Sequence, residues 1–286
     1  MPEGDTLFRT ARTLRRVLAG REVTRFESVY PRLTRVDEDT PVAGRTVEDV
    51  RSAGKHLLIV LSGDLVLRSH LRMHGSWHVY GPGEPWKRPR ASMRVLLETE
   101  HAVAVAFDVV DVTFHSERTL PRDSAVGSLG PDLLATDFDE AVALRNLRQP
   151  PDVAVAEALL NQWRLAGIGN VYKSETLFLC RIHPFLAVSA LSDEHLLALV
   201  RKARLLMRAN VVEGAAAGIV TYRSLRRTTR RDAPGARYWV YRRAGEPCRR
   251  CGTRIENRKM GEDARSTYFC PVCQRDATPP VFGLGT

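Results

Sequence analysis

Two pairs of cysteines, Cys248-Arg249-Arg250-Cys251 and Cys270-Pro271-Val272-Cys273, stand eighteen residues apart. A Cys-x2-Cys pair grips one side of an ion, and two such pairs complete a tetrahedron while the spacer folds back as a hairpin. Protein then fills all four positions and none is left for water or substrate, so the pattern predicts one structural zinc ion. In a reducing compartment the same pairing favours metal over disulfides. The spacer carries Arg254, Arg258, Lys259 and Arg265, so the hairpin presents cations. The fifth cysteine, Cys180, lies in the apolar run from Leu177 and reads as a small buried hydrophobe.

A second chemistry is available at Met1-Pro2-Glu3-Gly4-Asp5. Removal of Met1 would expose Pro2 as a secondary amine with a pKa of about 8. Such an amine can attack an electrophilic carbon and form an iminium, with Glu3 beside it as general acid or base. Taken alone, these residues are more simply the start of a tail whose glutamate favours a helix N-terminus. Lys55, in Ala53-Gly54-Lys55-His56-Leu57, reads alone as a surface lysine where a loop enters a strand. In Leu165-Ala166-Gly167-Ile168-Gly169-Asn170, two glycines precede a helical segment. Exposed amides there suit a phosphate and the Asn170 side chain adds a donor, although glycines also simply end helices.

These residues need elements to hold them. Leu7, Ala11, Leu14 and Leu18 recur at helical spacing, with Asp5-Thr6 as capping residues. After Gly20 the texture turns to short strands. His56–Leu61 and Leu65–Ser69 flank a Ser-Gly-Asp turn, and Met93–Glu98 and Ala102–Phe107 flank Thr-Glu-His, predicting two antiparallel hairpins of a sandwich or barrel. From about Pro121 to Gly130 the periodicity lapses, as in a linker. Helices follow: Val155, Leu159 and Trp163 share a stripe, a second segment starts at Val171, and a third runs from about Asp193 to Val212 with Leu196, Val200 and Met207 in phase.

The 286 residues suit two domains, and 43 Lys and Arg against 33 acidic residues give a net charge of +10. That excess fits a polyanion, because cations neutralise phosphates and release counterions; an anionic membrane surface or a merely basic protein fits it too. Eight of the arginines fall between Tyr222 and Arg243 with a single acid. No apolar run is long enough to span a membrane, and no signal-peptide core is visible, so the expected address is the cytoplasm.

Together the motifs resemble the formamidopyrimidine-DNA glycosylase and endonuclease VIII family. The Pro-Glu-Gly start, Gly-Lys-His-Leu-Leu, Ser69-His70-Leu71-Arg72-Met73-His74-Gly75, Leu129-Gly130-Pro131-Asp132, Gly-Ile-Gly-Asn and Gly245-Glu246-Pro247-Cys248 occur in the family's order from Pro2 to about Gln274. The Met-Pro-Glu-Gly-Asp-Thr opening is most similar to the actinobacterial endonuclease VIII branch. The resemblance implies an α+β chain: an N-terminal β-sandwich with a catalytic helix (1–125), a helical domain with a helix-two-turn-helix motif (126–242), and a four-cysteine zinc-finger hairpin (243–286).

The same resemblance assigns roles. Pro2 attacks the sugar C1′, while Glu3 protonates the ring oxygen and shuttles protons. Lys55 contacts phosphate beside the lesion and assists catalysis. Gly169 and Asn170 of the two-turn motif bind the DNA backbone, as does Arg265, which counts among the catalytic set. Arg72, Met73 and His74 fill the gap when the damaged nucleotide flips out, since C1′ is blocked in a stacked duplex. The product would be a bacterial monomer acting on nucleoid DNA that contains damaged bases or abasic sites, cutting on both sides of the sugar by β,δ-elimination.

The sequence departs from the pattern in three places. Asn161 stands where the family often has an acid, no arginine follows Asp108 in Phe107-Asp108-Val109-Val110-Asp111, and Ala215-Ala216-Ala217-Gly218 stands near the place of the purine branch's lesion loop. The last two predict oxidised pyrimidines as preferred substrates. Competing readings are a purine-type glycosylase, a non-catalytic DNA-binding module, and a zinc ribbon that binds RNA or protein; the lack of aromatic base-stacking platforms weakens the last.

Overall fold

The computed structural model describes residues 2–212, 218–222 and 235–275. The chain divides into two compact units, Met1–Ser128 and Leu129–Thr286.

The first unit begins with α1 (Gly4–Leu18), whose predicted stripe of Leu7, Ala11, Leu14 and Leu18 is buried. Its cap differs from the expected Asp5-Thr6. Glu3 is the N-cap, and its carbonyl accepts the Thr6 and Leu7 amides at 2.9 and 3.2 Å. Asp5 therefore falls in the first turn, where a carboxylate still meets the positive helix end and where Arg9 pairs with it at 3.3 Å.

Next come β1 (Val23–Ser28), α2 (Pro31–Asp39), β2 (Val47–Ala53), β3 (His56–Leu61), β4 (Leu65–His70), β5 (Ser76–Tyr80), β6 (Met93–Thr99), β7 (Val103–Phe107) and β8 (Asp111–His115). They form two antiparallel four-stranded sheets, ordered β1-β6-β7-β5 and β2-β3-β4-β8. Both predicted hairpins are present, β3–β4 and β6–β7. Leu57, Ile59 and Leu61 join Val95, Leu97, Ala104 and Ala106 of the other sheet and the α1 stripe in one core. Leu58 and Val60 face the other way and pack with Val66 and Leu120. This explains why β3 reads as an unbroken apolar run: it is covered on both faces. The expected linker around Pro121–Gly130 is partly ordered, with a 3-10 turn at Leu120–Arg122 and the short α3 (Ser124–Gly127), whose cap is the Asp123 carboxylate.

The second unit holds α4 (Glu140–Leu147), α5 (Val155–Leu160), α6 (Asn170–Leu179) and α7 (Asp193–Val211), then the hairpin of β9 (Glu256–Met260) and β10 (Arg265–Phe269). Val155, Leu159, Leu196, Val200 and Met207 are fully buried in its core. Trp163 corrects the expected stripe: α5 ends at Leu160, and Trp163 lies in the following turn, 40% exposed. Asn161 ends the helix by taking extended backbone angles, which turns the chain out of the helical path. Among the described residues, no helix is long and apolar enough to cross a membrane.

Candidate active site and nucleic-acid interface

Pro2 is half-buried directly before α1, and Glu3 is fully buried at its N-cap. The helix packs against β2 and β3. The two-residue turn that joins those strands, closed by the Ala53–His56 pair, is Gly54-Lys55. The sequence thus folds its N-terminal acid and its candidate phosphate-binding lysine onto one framework, with Lys55 half-buried rather than on open surface.

The segment after β4 is a built loop. The Arg72 backbone is left-handed at φ 52°, and its amide donates to His70 Nδ1 at 3.1 Å. The Gly75 amide donates to Leu71 O at 2.9 Å. Leu71 is buried beneath this turn, while Arg72, Met73 and His74 are exposed, Met73 to 63%. The Arg72 guanidinium donates to Asp111 Oδ2 at 2.9 Å, and buried Arg68 holds the other oxygen at 3.1 Å. Arg68 also reaches His56 Nδ1 at 3.2 Å and Asp123 Oδ2 at 3.0 Å, where His115 joins it at 3.0 Å.

Burial, reinforced by these cations, favours the neutral form of His56 and His70. Burial, with His70 and Arg68 adding to it, pushes His56 down to about 3. Burial and then Arg72 push His70 down to about 4. A neutral His70 has the free Nδ1 lone pair that the Arg72 amide requires. Asp111 moves against its own burial, because Arg68 and Arg72 outweigh desolvation and hold the carboxyl below its ordinary range. The stretch lacking an arginine after Asp108 is therefore the stretch that anchors Arg72.

In the second unit the two-turn motif is organised by a residue the sequence reading passed over. Gln162 donates to Leu160 O at 2.8 Å and Ile168 O at 3.0 Å, and accepts the Gly167 amide at 3.1 Å. Gly167 sits at φ 102°, a region closed to most L residues. Gly130 allows another close approach: its amide donates to Gln162 O at 2.9 Å, and a Cβ there would lie 2.3 Å from Trp163 O. Asn161 Oδ1 accepts the Trp163 amide at 3.1 Å, so the carboxamide oxygen does locally what a carboxylate would.

Gly169 is the N-cap of α6 and Asn170 its first residue, and both are buried, with Asn170 9% exposed. Two more α6 residues were missed. Lys173 is fully buried, and its ammonium donates to Asn170 Oδ1 at 3.2 Å, Ser266 O at 2.9 Å and Thr267 Oγ1 at 2.8 Å. Glu175, also fully buried, accepts the amides of Trp239, Val240 and Tyr241 at 2.8, 2.9 and 2.8 Å, and the Thr221 hydroxyl. Burial raises its pKa while these four donors oppose the rise. Position alone signals Lys173, three residues after Asn170 and so on the same helix face. Nothing in the sequence signals Glu175's partners, which lie more than forty residues away.

The finger follows the expected plan. Cys248, Cys251, Cys270 and Cys273 place their sulfurs within 4.8 Å of one another, with Cys248–Cys273 at 3.9 Å and Cys251–Cys270 at 3.4 Å. A tetrahedral ion with Zn–S bonds of roughly 2.3 Å needs sulfurs roughly 3.8 Å apart, so the four thiols fit one zinc ion. At the turn end of β10 Arg265 is exposed and pairs with Asp263 at 2.9 Å. Arg254, Arg258 and Lys259 are exposed too. Ala215–Ala217 and the arginines between 223 and 234 lie outside the described residues.

Sequence profiles match the two units in order. "Formamidopyrimidine-DNA glycosylase N-terminal domain" covers residues 1–121, "Formamidopyrimidine-DNA glycosylase H2TH domain" covers 129–221, and "Zinc finger found in FPG and IleRS" covers 245–275. The chain belongs to the formamidopyrimidine-DNA glycosylase family. Among the family's curated members, a probable endonuclease 8 2 of Streptomyces coelicolor is 44% identical over 98% of this chain and 96% of its own length. The DNA-(apurinic or apyrimidinic site) lyase Nei2 of Mycolicibacterium smegmatis is 41% identical over 96% and 99%. Of solved family structures, the Lactococcus lactis glycosylase mutant with DNA containing Fapy-dG superposes with a TM-score of 0.78 at 26% identity, over 96% of this chain and 100% of that one. A complex between the Lactococcus lactis Fpg and DNA containing an abasic site gives 0.77 at 26% identity over the same shares.

Proposed function

We propose that this chain is a DNA glycosylase and abasic-site lyase of base excision repair, acting through Pro2. Membership in a family of such enzymes supports the activity class, and the observation that carries the site is Glu3. Glu3 is a fully buried carboxylate at the head of α1, directly beside Pro2, whose amine is the proposed nucleophile. Burying it costs free energy that an exposed N-cap serine would avoid.

The chemistry follows from the groups. The Pro2 nitrogen attacks C1′ as the base departs with the glycosidic electrons. Glu3 protonates the ring oxygen, so the sugar opens to an iminium. The iminium acidifies the C2′ protons; loss of one expels the 3′ phosphate, and a second elimination expels the 5′ phosphate. Lys55, Asn170, Gly169 and Arg265 hold backbone phosphates, and Arg72, Met73 and His74 occupy the vacated stack. Cys248, Cys251, Cys270 and Cys273 would hold a zinc ion that cross-links the finger, and no step passes through it.

The net charge of +10 supports duplex DNA as the partner. We assign its place of action to the bacterial cytoplasm, as a monomer on nucleoid DNA. The test is borohydride reduction in the presence of a duplex with one abasic site. One trapped protein–DNA species is expected, lost when an extra residue precedes Pro2. Equal trapping with the amine blocked would move the nucleophile elsewhere and overturn the assignment.

A further inference from the structure

We propose that Lys173 is a positioning residue for phosphate binding, one that locks the Asn170 amide and the Arg265 strand into a single register. The inference rests on the functional reading above and deepens it.

The placement is costly. An ammonium fully removed from water pays a large desolvation penalty. Lys173 is also the fourth residue of α6, close to the positive end of the helix macrodipole, where a cation is disfavoured. A glutamine or methionine could fill the space without either penalty. What lysine adds is a tripod: three protons on Nζ meet Asn170 Oδ1, Ser266 O and Thr267 Oγ1, at 3.2, 2.9 and 2.8 Å.

Two consequences follow from that tripod. An ammonium can only donate, so the atom of Asn170 facing it must be the oxygen. The Asn170 Nδ2 donor is then directed away from Lys173 and kept for an anionic oxygen. Ser266 and Thr267 directly follow Arg265, so the strand bearing the exposed guanidinium is tied to the same nitrogen that orients Asn170. The cation also sits behind the α6 amides, raising the potential where a phosphodiester would dock.

The experiment is a double-mutant cycle read by equilibrium binding to a duplex carrying a tetrahydrofuran abasic analogue. Zinc content and melting temperature are measured on every variant. Lys173→Met should raise Kd roughly tenfold, the loss expected when a charged donor to a buried partner is removed. The loss should fall on Kd, with the single-turnover rate at saturating duplex within about twofold of wild type. In an Asn170→Ala background the same change should cost less than about twofold, because the side chain it orients is gone.

An unchanged Kd, or a tenfold loss in both backgrounds, would overturn the proposal. Should Lys173→Met lose zinc or fail to fold, Thr267→Val decides. It keeps Lys173 and Asn170 and should raise Kd about threefold with Asn170 present but not in Asn170→Ala. Equal losses in both backgrounds would refute the coupling. A wild-type protein that gives no trapped adduct would instead defeat the functional reading, while the binding cycle still reports on Lys173.

Discussion

The backbone amide of Arg72 donates to the Nδ1 of His70 at 3.1 Å, so the turn that presents Met73 depends on an unprotonated imidazole. Unfolded histidine binds its proton near pH 6.5, whereas folded His70 does so only near pH 4. Acid therefore favours the unfolded chain. The contribution of His70 is complete above about pH 6.5 and is lost as pH falls toward 4, amounting to at most about 3 kcal/mol before solvent screening. Thermal melts from pH 8 to 4 should show this decline, with a shallower slope in His70→Gln. Parallel slopes would show that His70 does not titrate with folding.

Arg265 stands exposed at the turn end of β10, paired with the still more exposed Asp263. Arg265→Ala should weaken duplex binding alike for every sequence tested, because a phosphate contact positions without reading bases. The log–log salt dependence should flatten by about one unit. A loss confined to one sequence, or an unaltered slope, would mean that Arg265 does not meet phosphate.

Removing one zinc ligand tests how far the finger stands alone. The β9–β10 hairpin is too small to hold itself together without the ion, while the sandwich core draws on residues of the first unit only. Cys270→Ala should lose zinc and weaken duplex binding, yet keep the β-sheet circular-dichroism signal of residues 2–128. Full metal content in that variant would show that Cys270 is not a ligand.

Among lesions, oxidised pyrimidines should be released faster than 8-oxoguanine. No arginine follows Asp108, and the second acid of that stretch, Asp111, is engaged by Arg68 and Arg72. One contiguous loop, Arg72-Met73-His74, is then left to fill the gap. Met73 is the purine-branch choice at its position, but an apolar wedge replaces lost stacking whichever base has left. Single-turnover excision of thymine glycol, 5-hydroxyuracil, 8-oxoguanine and formamidopyrimidine from matched duplexes gives the order. Faster release of 8-oxoguanine opposite cytosine than of either pyrimidine would place the chain with the purine branch.

What could be read from the sequence was what is local. Short apolar strands flanking tight turns located the β3–β4 and β6–β7 hairpins, helical spacing located the buried faces of α1 and α7, and cysteine spacing located the metal set. The misreadings came where a local rule was extended one step too far. Trp163 fits the α5 period, but Asn161 had already turned the chain. Asp5 is a fine cap, but Glu3 took the place. The residues that knit the site lie far apart in sequence: Lys173 with Thr267, Glu175 with Val240, Arg68 with Asp111. Spacing cannot reveal a partner ninety residues away, and a buried Lys or Glu reads from sequence as a surface charge.

Cys180 has a consequence for handling the protein. It is 2% exposed, and burial pushes its thiol up to about 12, so it stays protonated and shut away from reagents. The other four sulfhydryls are those that fit the zinc ion. A maleimide dye added to the native protein should therefore label almost nothing, and each chain stripped of its ion should take up dye only in the finger. Colour becomes a count of metal occupancy, read in a cuvette without unfolding the enzyme.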